Sequence, residues 1–195
     1  MQPIVLASSS PYRKALLSKL NFSFITDAPN IDETPLIGES PSALVERLAT
    51  EKATTIAGKH PAALIIGSDQ VACVNETLLS KPGNFDNAFA QLQQCSANTV
   101  TYYTGLCLFN GTTATSQVHT ERYQLNFRAL TDQEISNYLL LEQPYGCAGS
   151  IKSEGLAVSL FKSHHGRDPN ALIGLPLIQL LKMLRAEGIN PLLTS

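Results

Sequence analysis

Three stretches of this 195-residue chain place hydroxyls and cations where a phosphate chain could be held. The first is Ser8-Ser9-Ser10-Pro11-Tyr12-Arg13-Lys14, directly after the apolar run Ile4–Ala7. Ser10 as N-cap with Pro11 at the first helical position predicts a helix start. Free N–H groups and the positive dipole end make such a start an anion site, flanked here by Ser8 and Arg13. An ordinary capped helix with a solvated Arg-Lys pair uses the same residues. Lys52 falls four residues after Leu48 on an apolar helical stripe, so its ammonium either snorkels from the core edge or enters a polar cleft. Lys81 stands on the rigid turn Lys81-Pro82-Gly83, which also reads as a solvated loop.

The acidic residues complement these cations. Asp69 follows Ala63–Gly67, which puts a carboxylate at the carboxyl end of a predicted central strand, where α/β sheets build sites. A turn or cap aspartate fits the same position. Asp32 and Glu33 precede Thr34-Pro35, and Glu154 lies in a glycine-flanked segment, residues 149–155. With Arg13, Lys52, Lys81 and Lys152 they suit a divalent cation and a triphosphate, the metal taking oxygen ligands and the bases taking phosphate. Other chemistries lack their motifs: there is no P-loop GxxxxGK, no GxGxxG and no GxSxG. His164-His165 has no HExxH-like context and reads as a surface turn. The four cysteines are too far apart for a CxxC metal site and read as reduced structural thiols.

The elements that must position these groups alternate in type. Ile4–Ala7 predicts a strand, with a helix from Pro11 carrying Leu16, Leu17 and Leu20 inward. Phe22–Thr26 predicts a second strand. Ser40-Pro41 repeats the helix-start signal, and the stripe from Leu44 to Ile56 ends at Gly58. Ala63–Gly67 and Gln70–Val74 predict one strand and then another, or the first arm of a hairpin. Asn84 opens a helix through Leu92. Thr99–Phe109 and Gln117–Phe127 form a hairpin around the turn Asn110-Gly111. Thr131 with Glu134 predicts a capping box and a helix to about Glu142. Ala157–Phe161 predicts a late strand, and Pro176–Glu187 a final helix stopped by Gly188. The fold class is α/β with a mixed sheet, and no repeat or linker divides the single domain, residues 1–195.

Composition narrows the function. Hydrophobic residues make up 44% and charged residues 15%, which excludes a highly solvated disordered chain. The net charge of −2 provides no overall field for a polyanion, which argues against a nucleic-acid or membrane-surface partner. The N-terminus lacks a signal-peptide pattern and no apolar run reaches bilayer length, so a cytoplasmic location is expected.

Taken in order, several segments resemble the Maf family of nucleotide pyrophosphatases over nearly the full length. They are the stretch Leu6–Arg13, Asp32-Glu33-Thr34-Pro35, Glu51-Lys52-Ala53, Gly67-Ser68-Asp69, Lys81-Pro82, Val100–Gly105, Ala148-Gly149 and Gly174-Leu175-Pro176. The resemblance implies an elongated mixed sheet flanked by helices, with two lobes around a cleft, similar to inosine triphosphate pyrophosphatases. It also implies a nucleoside triphosphate substrate, Mg²⁺ or Mn²⁺, and a homodimer. The family's general base maps to Asp69. Its phosphate and metal contacts map to Ser8, Arg13, Glu33, Lys52 and Lys81, with Glu33 and Asp69 as metal ligands.

Where the branch cleaving dTTP and UTP reads Ser-Pro-Arg-Arg and Asp-Thr, this chain reads Ser10-Pro11-Tyr12-Arg13 and Asp69-Gln70. Together with the segment Cys147–Gly155, those residues resemble the branch hydrolysing 7-methyl-GTP to 7-methyl-GMP and pyrophosphate, which keeps modified nucleotides out of nucleic acids. The positions setting base choice map to Tyr12, Gln70 and Glu154. The alternatives are a Maf-type pyrophosphatase for dTTP, UTP or CTP, and a nucleotide-binding regulator of septum formation.

Overall fold

Aliphatic runs such as Ile4–Ala7 and Leu64–Ile66 make buried strands of one mixed sheet, and helices cover both of its faces. The computed structural model describes residues 2–193. In chain order the elements are β1 (Ile4–Ala7), α1 (Pro11–Ser18), β2 (Ile25–Thr26), α2 (Pro41–Ala57), β3 (Leu64–Val74), β4 (Thr77–Leu79), α3 (Phe85–Cys95), β5 (Thr99–Asn110), β6 (Thr115–Phe127), α4 (Asp132–Glu142), β7 (Phe161–His165), α5 (Pro169–Ile173) and α6 (Leu177–Ala186). The sheet order is β2-β1-β3-β5-β6-β7, with β4 also paired to β3. β2, β1 and β3 run parallel, while β3, β5, β6 and β7 alternate in direction. This is the mixed α/β sheet expected from the sequence.

The three long strands pass through more than one core. Leu64, Ile66, Leu106 and Leu108 at one end pack with Leu16 and Leu17 of α1 and Leu180 and Leu184 of α6. At the other end, Ala72, Val74, Val100, Tyr102 and Leu125 pack with Leu92 of α3 and Ile135 of α4. On the opposite face, Ile65 and Cys107 meet Ala49, Ala53 and Ile56 of α2. Full burial of each Val, Leu or Ile among them contributes about 1.5–3 kcal/mol. The polar stretch of β3 lies between these clusters.

The helix starts follow their caps: Ser10 accepts from the Arg13 N–H, Ser40 from Ala43, and Thr131 and Glu134 close a capping box. Several boundaries differ from expectation. β2 spans only Ile25–Thr26, because β1 offers just Val5 and Leu6 as partners there. Ala63–Gly67 and Gln70–Val74 form one strand, since β5 pairs with β3 without a break from Leu64 to Val74. The hairpin turn is residues 111–114 rather than Asn110-Gly111. Asn110 pairs with Thr115, and its Oδ1 accepts from the Thr112 and Thr113 N–H groups. Leu156–Leu160 is a 3₁₀ segment, and the late strand begins only at Phe161. His164 and His165 lie in that strand, with His164 Nδ1 2.8 Å from the Tyr123 hydroxyl. No described helix is long and apolar enough to cross a membrane. The cysteines are free thiols.

Candidate active site

The edge of β3 has a gap midway along its length. β1 accompanies it as far as Gly67, opposite Ala7, and β4 joins it at Ala72. Residues 68–71 therefore have β5 on one side and no strand on the other. A cleft of about 720 Å³ opens at this gap, and Ser8, Tyr12, Arg13, Glu33, Lys52, Asp69, Gln70, Lys81 and Glu154 all line it. Asp69 is thus mid-strand, not at a strand end. What ends beside it is the neighbouring β1.

Alternation along β3 separates its side chains. Asp69 faces α2, as do Ile65 and Gly67, while Ser68 and Gln70 face α5. Gly67 and Gly105 let α2 lie directly on the sheet: a Cβ on either would collide with the carbonyl oxygen of Ala49 or Val45. That close approach brings Lys52 to the catalytic candidate. Its Nζ is 2.6 Å from Asp69 Oδ1 and 2.6 Å from Glu33 Oε1. Lys52 and Asp69 are buried at 6% and 7% exposure, which answers the choice between a snorkelling lysine and one in a polar cleft.

Glu33 reaches Lys52 from the loop between β2 and α2. Partial burial pushes its carboxyl up, but the hydrogen bond and charge of Lys52, with Lys81 and Arg13 beyond, outweigh this and hold it below its ordinary value. The loop is pinned to α2 by Arg47, whose Nε and Nη2 donate to Glu39 at 2.7 and 2.8 Å and whose Nη2 also reaches the Thr34 carbonyl. Arg47 and Glu39 were not singled out in the sequence, since eight positions separate them and only the structure pairs them.

On the opposite wall, Ser8 Oγ accepts from the Ser10 N–H at 3.1 Å. Arg13 Nε donates to the Gly174 carbonyl at 2.9 Å, leaving its terminal nitrogens for a ligand. Burial lowers the Arg13 pKa, while the charges of Asp69 and Glu33 act in the opposite direction. Lys81 is exposed on the cleft rim and makes no ion pair among the described residues. Lys152 is directed elsewhere, 3.6 Å from Glu142, and does not line the cleft.

Tyr12, Cys147 and Glu154 share the remaining wall. The Tyr12 hydroxyl lies 4.0 Å from Cys147 Sγ. The neighbouring Cys147, partial burial and Glu154 push the phenol pKa up, and burial above all keeps Cys147 a thiol. Gln70 is oriented by α5: its Nε2 contacts the Ala171 and Leu172 carbonyls at 2.7 and 3.1 Å and Thr104 Oγ1 at 3.1 Å. With both amide hydrogens engaged, its oxygen is the group left for a ligand. Ser68 and Thr104 lie in segments that carry the family resemblance but had no site role there, and the carbonyls of α5 have no sequence signal of their own. Asp168-Pro169, an N-cap followed by a first-turn proline, is the signal that marks α5.

Among the described residues no group of three His, Cys, Asp or Glu gathers to hold a metal. Glu33 and Asp69, whose oxygens meet at one ammonium, nevertheless fit Mg²⁺, which commonly takes one or two carboxylates and completes its shell with water and phosphate oxygens. Cations, hydroxyls and paired carboxylates gather around one opening, groups of the kind that could hold a phosphate chain and a water.

Comparison with known proteins agrees with this chemistry. The family model described as Maf-like protein matches residues 3–187. The 7-methyl-GTP pyrophosphatase of Colwellia psychrerythraea is 50% identical over 192 residues, covering 98% of this chain and 96% of that protein.

Proposed function

The chain belongs to the Maf family, and we propose that it is a nucleoside triphosphate pyrophosphatase acting on 7-methyl-GTP, with 7-methyl-GMP and pyrophosphate as products. The observation that carries this reading is the Asp69–Lys52–Glu33 cluster lining a cleft that Arg13 lines and Lys81 rims. The 50% identity to a protein named for that activity supports the choice of substrate.

The triphosphate enters with its phosphates toward Ser8, Arg13, Lys52 and Lys81. Arg13 offers its terminal N–H groups to phosphate oxygens, and Lys81 adds a mobile positive charge from the rim. Lys52 exchanges its carboxylate partners for phosphate oxygens, which frees an oxygen of Asp69. Asp69 then orients a water at the α-phosphorus and accepts its proton as the bond to the bridging oxygen breaks. The leaving pyrophosphate carries the extra negative charge, held by Arg13, Lys52 and Lys81. Glu33 and Asp69 would hold Mg²⁺ or Mn²⁺, which when bound neutralises developing charge on phosphate oxygens.

At the base end, Tyr12 offers an aromatic face to a methylated, positively charged guanine, and Glu154 offers a carboxylate for its N–H groups. Gln70 contributes its carboxamide oxygen as an acceptor. The protein works as a homodimer in the cytoplasm, on free nucleotides.

Product analysis tests the reaction. Incubation with 7-methyl-GTP and Mg²⁺ in H₂¹⁸O gives the monophosphate and pyrophosphate in equal amounts, with label in either product according to the phosphorus attacked. Attack at the α-phosphorus labels 7-methyl-GMP. Release of 7-methyl-GDP and orthophosphate would refute the proposed bond cleavage.

A further inference from the structure

Arg13 is held from behind by a carbonyl that other residues hold in place. The Gly174 oxygen accepts from Arg13 Nε at 2.9 Å and lies 2.9 Å from Ser68 Oγ. Gly174 closes α5 in the left-handed region at φ 117°, and a Cβ there would stand 3.3 Å from Arg13 Nε. Ser68 is fully buried on β3, next to Asp69 but on the other face, and its hydroxyl is also 2.8 Å from the Gly105 carbonyl. One hydroxyl proton serves these two acceptors.

Asp168, with no exposed surface, secures the same turn from its far side. Its Oδ1 accepts from the Asn170 N–H at 2.9 Å, which caps α5. Its Oδ2 accepts from the Ile178 N–H at 2.7 Å, in the first turn of α6. A single carboxylate therefore ties together the two helices between which Gly174 lies. Neither Ser68 nor Asp168 lines the cleft.

We propose that Ser68 and Asp168 are positioning residues for Arg13 and act through the Gly174 carbonyl. A guanidinium is planar, so fixing Nε fixes the plane in which its two terminal nitrogens meet phosphate oxygens. The arrangement places that plane and Asp69 on a common reference, strand β3. Loss of either support lets the Gly174 turn shift and swings the fork away from the phosphates. The inference rests on the reading of Arg13 as a phosphate contact.

The test is a double-mutant cycle. Ser68→Ala and Asp168→Asn are made in the wild-type and Arg13→Ala backgrounds. The readouts are the inhibition constant of inorganic tripolyphosphate with Mg²⁺, kcat/KM on the best triphosphate substrate, and the unfolding midpoint. Tripolyphosphate carries no base, so a wrong base assignment leaves the measurement intact. Each single variant weakens tripolyphosphate about fivefold in the wild-type background, within the range for residues of one network, and adds nothing once Arg13 is gone. Equal losses in both backgrounds, or wild-type inhibition in the single variants, would overturn the proposal. Ser68→Ala removes one hydroxyl and decides the question alone if Asp168→Asn does not fold. An Arg13→Ala protein that binds tripolyphosphate like wild type sinks the phosphate reading of Arg13, and this proposal with it.

Discussion

Lys52 Nζ and Asp69 Oδ1 stand 2.6 Å apart although they lie 17 positions apart in the chain. The contact exists because α2 crosses β3 and β5 over two glycines, close enough for a lysine on its buried stripe to reach the polar centre of the strand. It joins the candidate base to a candidate phosphate cation, so on the proposed reading a phosphate that engages Lys52 would free an oxygen of Asp69.

Asp69→Asn keeps the shape of the side chain but cannot take up a proton. Turnover should fall by ~10²–10⁴, the usual cost of losing a general base. The fold should be kept at a somewhat lower unfolding midpoint, because Lys52 loses one of its two carboxylate partners at a buried position but retains Glu33. Steady-state pyrophosphate release alongside a thermal melt measures both, and full activity would remove Asp69 from the mechanism.

Lys52 and Lys81 should behave differently when replaced. Lys52→Met leaves two carboxylates facing each other at a buried position, and removal of one partner from a buried ion pair costs about 3–5 kcal/mol. The Glu33 side is open to water, which favours the lower end of that range. Lys52→Met should therefore lose turnover and stability together. Lys81→Ala, on the exposed rim, should lose turnover with an unchanged melting temperature. A Lys81 variant with equal losses in both would contradict its role as a phosphate contact.

Arg47 hydrogen bonds hold Glu39 at about 2, below its ordinary 4.5, and so anchor the loop that carries Glu33. A depressed carboxyl adds stability above its unfolded pKa, and that stability is lost as pH falls through its folded pKa. The melting temperature of wild type should exceed that of Glu39→Gln most above pH 4.5, with the gap closing toward pH 2. A gap independent of pH would show that the pair contributes through something other than charge.

Tyr12 and Glu154 should set base preference. A cation–π contact is worth ~0.5–2 kcal/mol, or about two- to thirtyfold in affinity. Tyr12→Ala and Glu154→Gln should each lower the ratio of kcat/KM for 7-methyl-GTP over GTP within that range. Unchanged ratios in both variants would move base recognition elsewhere in the cleft.

Much of this was legible in the sequence because it depends on local chemistry. Ser10, Ser40 and the Thr131–Glu134 box mark their helix starts with hydrogen bonds between near neighbours. Lys52 drew notice as a charge on an apolar stripe. The misreadings have tertiary causes. Asp69 read as the carboxyl end of a strand or as a turn aspartate after Gly67, yet β5 pairs straight through Ser68 and Asp69, and cross-strand pairing overrode the local turn preference. α5 is five residues long, too short for helical periodicity to register. The carbonyls of Ala171, Leu172 and Gly174 orient Gln70 and Arg13, and main-chain groups carry no residue signature.

The most direct test is the specificity of the wild-type protein. Pyrophosphate release should be followed for 7-methyl-GTP, GTP, UTP, dTTP and CTP, each with Mg²⁺ and with Mn²⁺. The account predicts the highest kcat/KM for 7-methyl-GTP, with loss of activity when the divalent cation is chelated. Preferred cleavage of UTP or dTTP would contradict it.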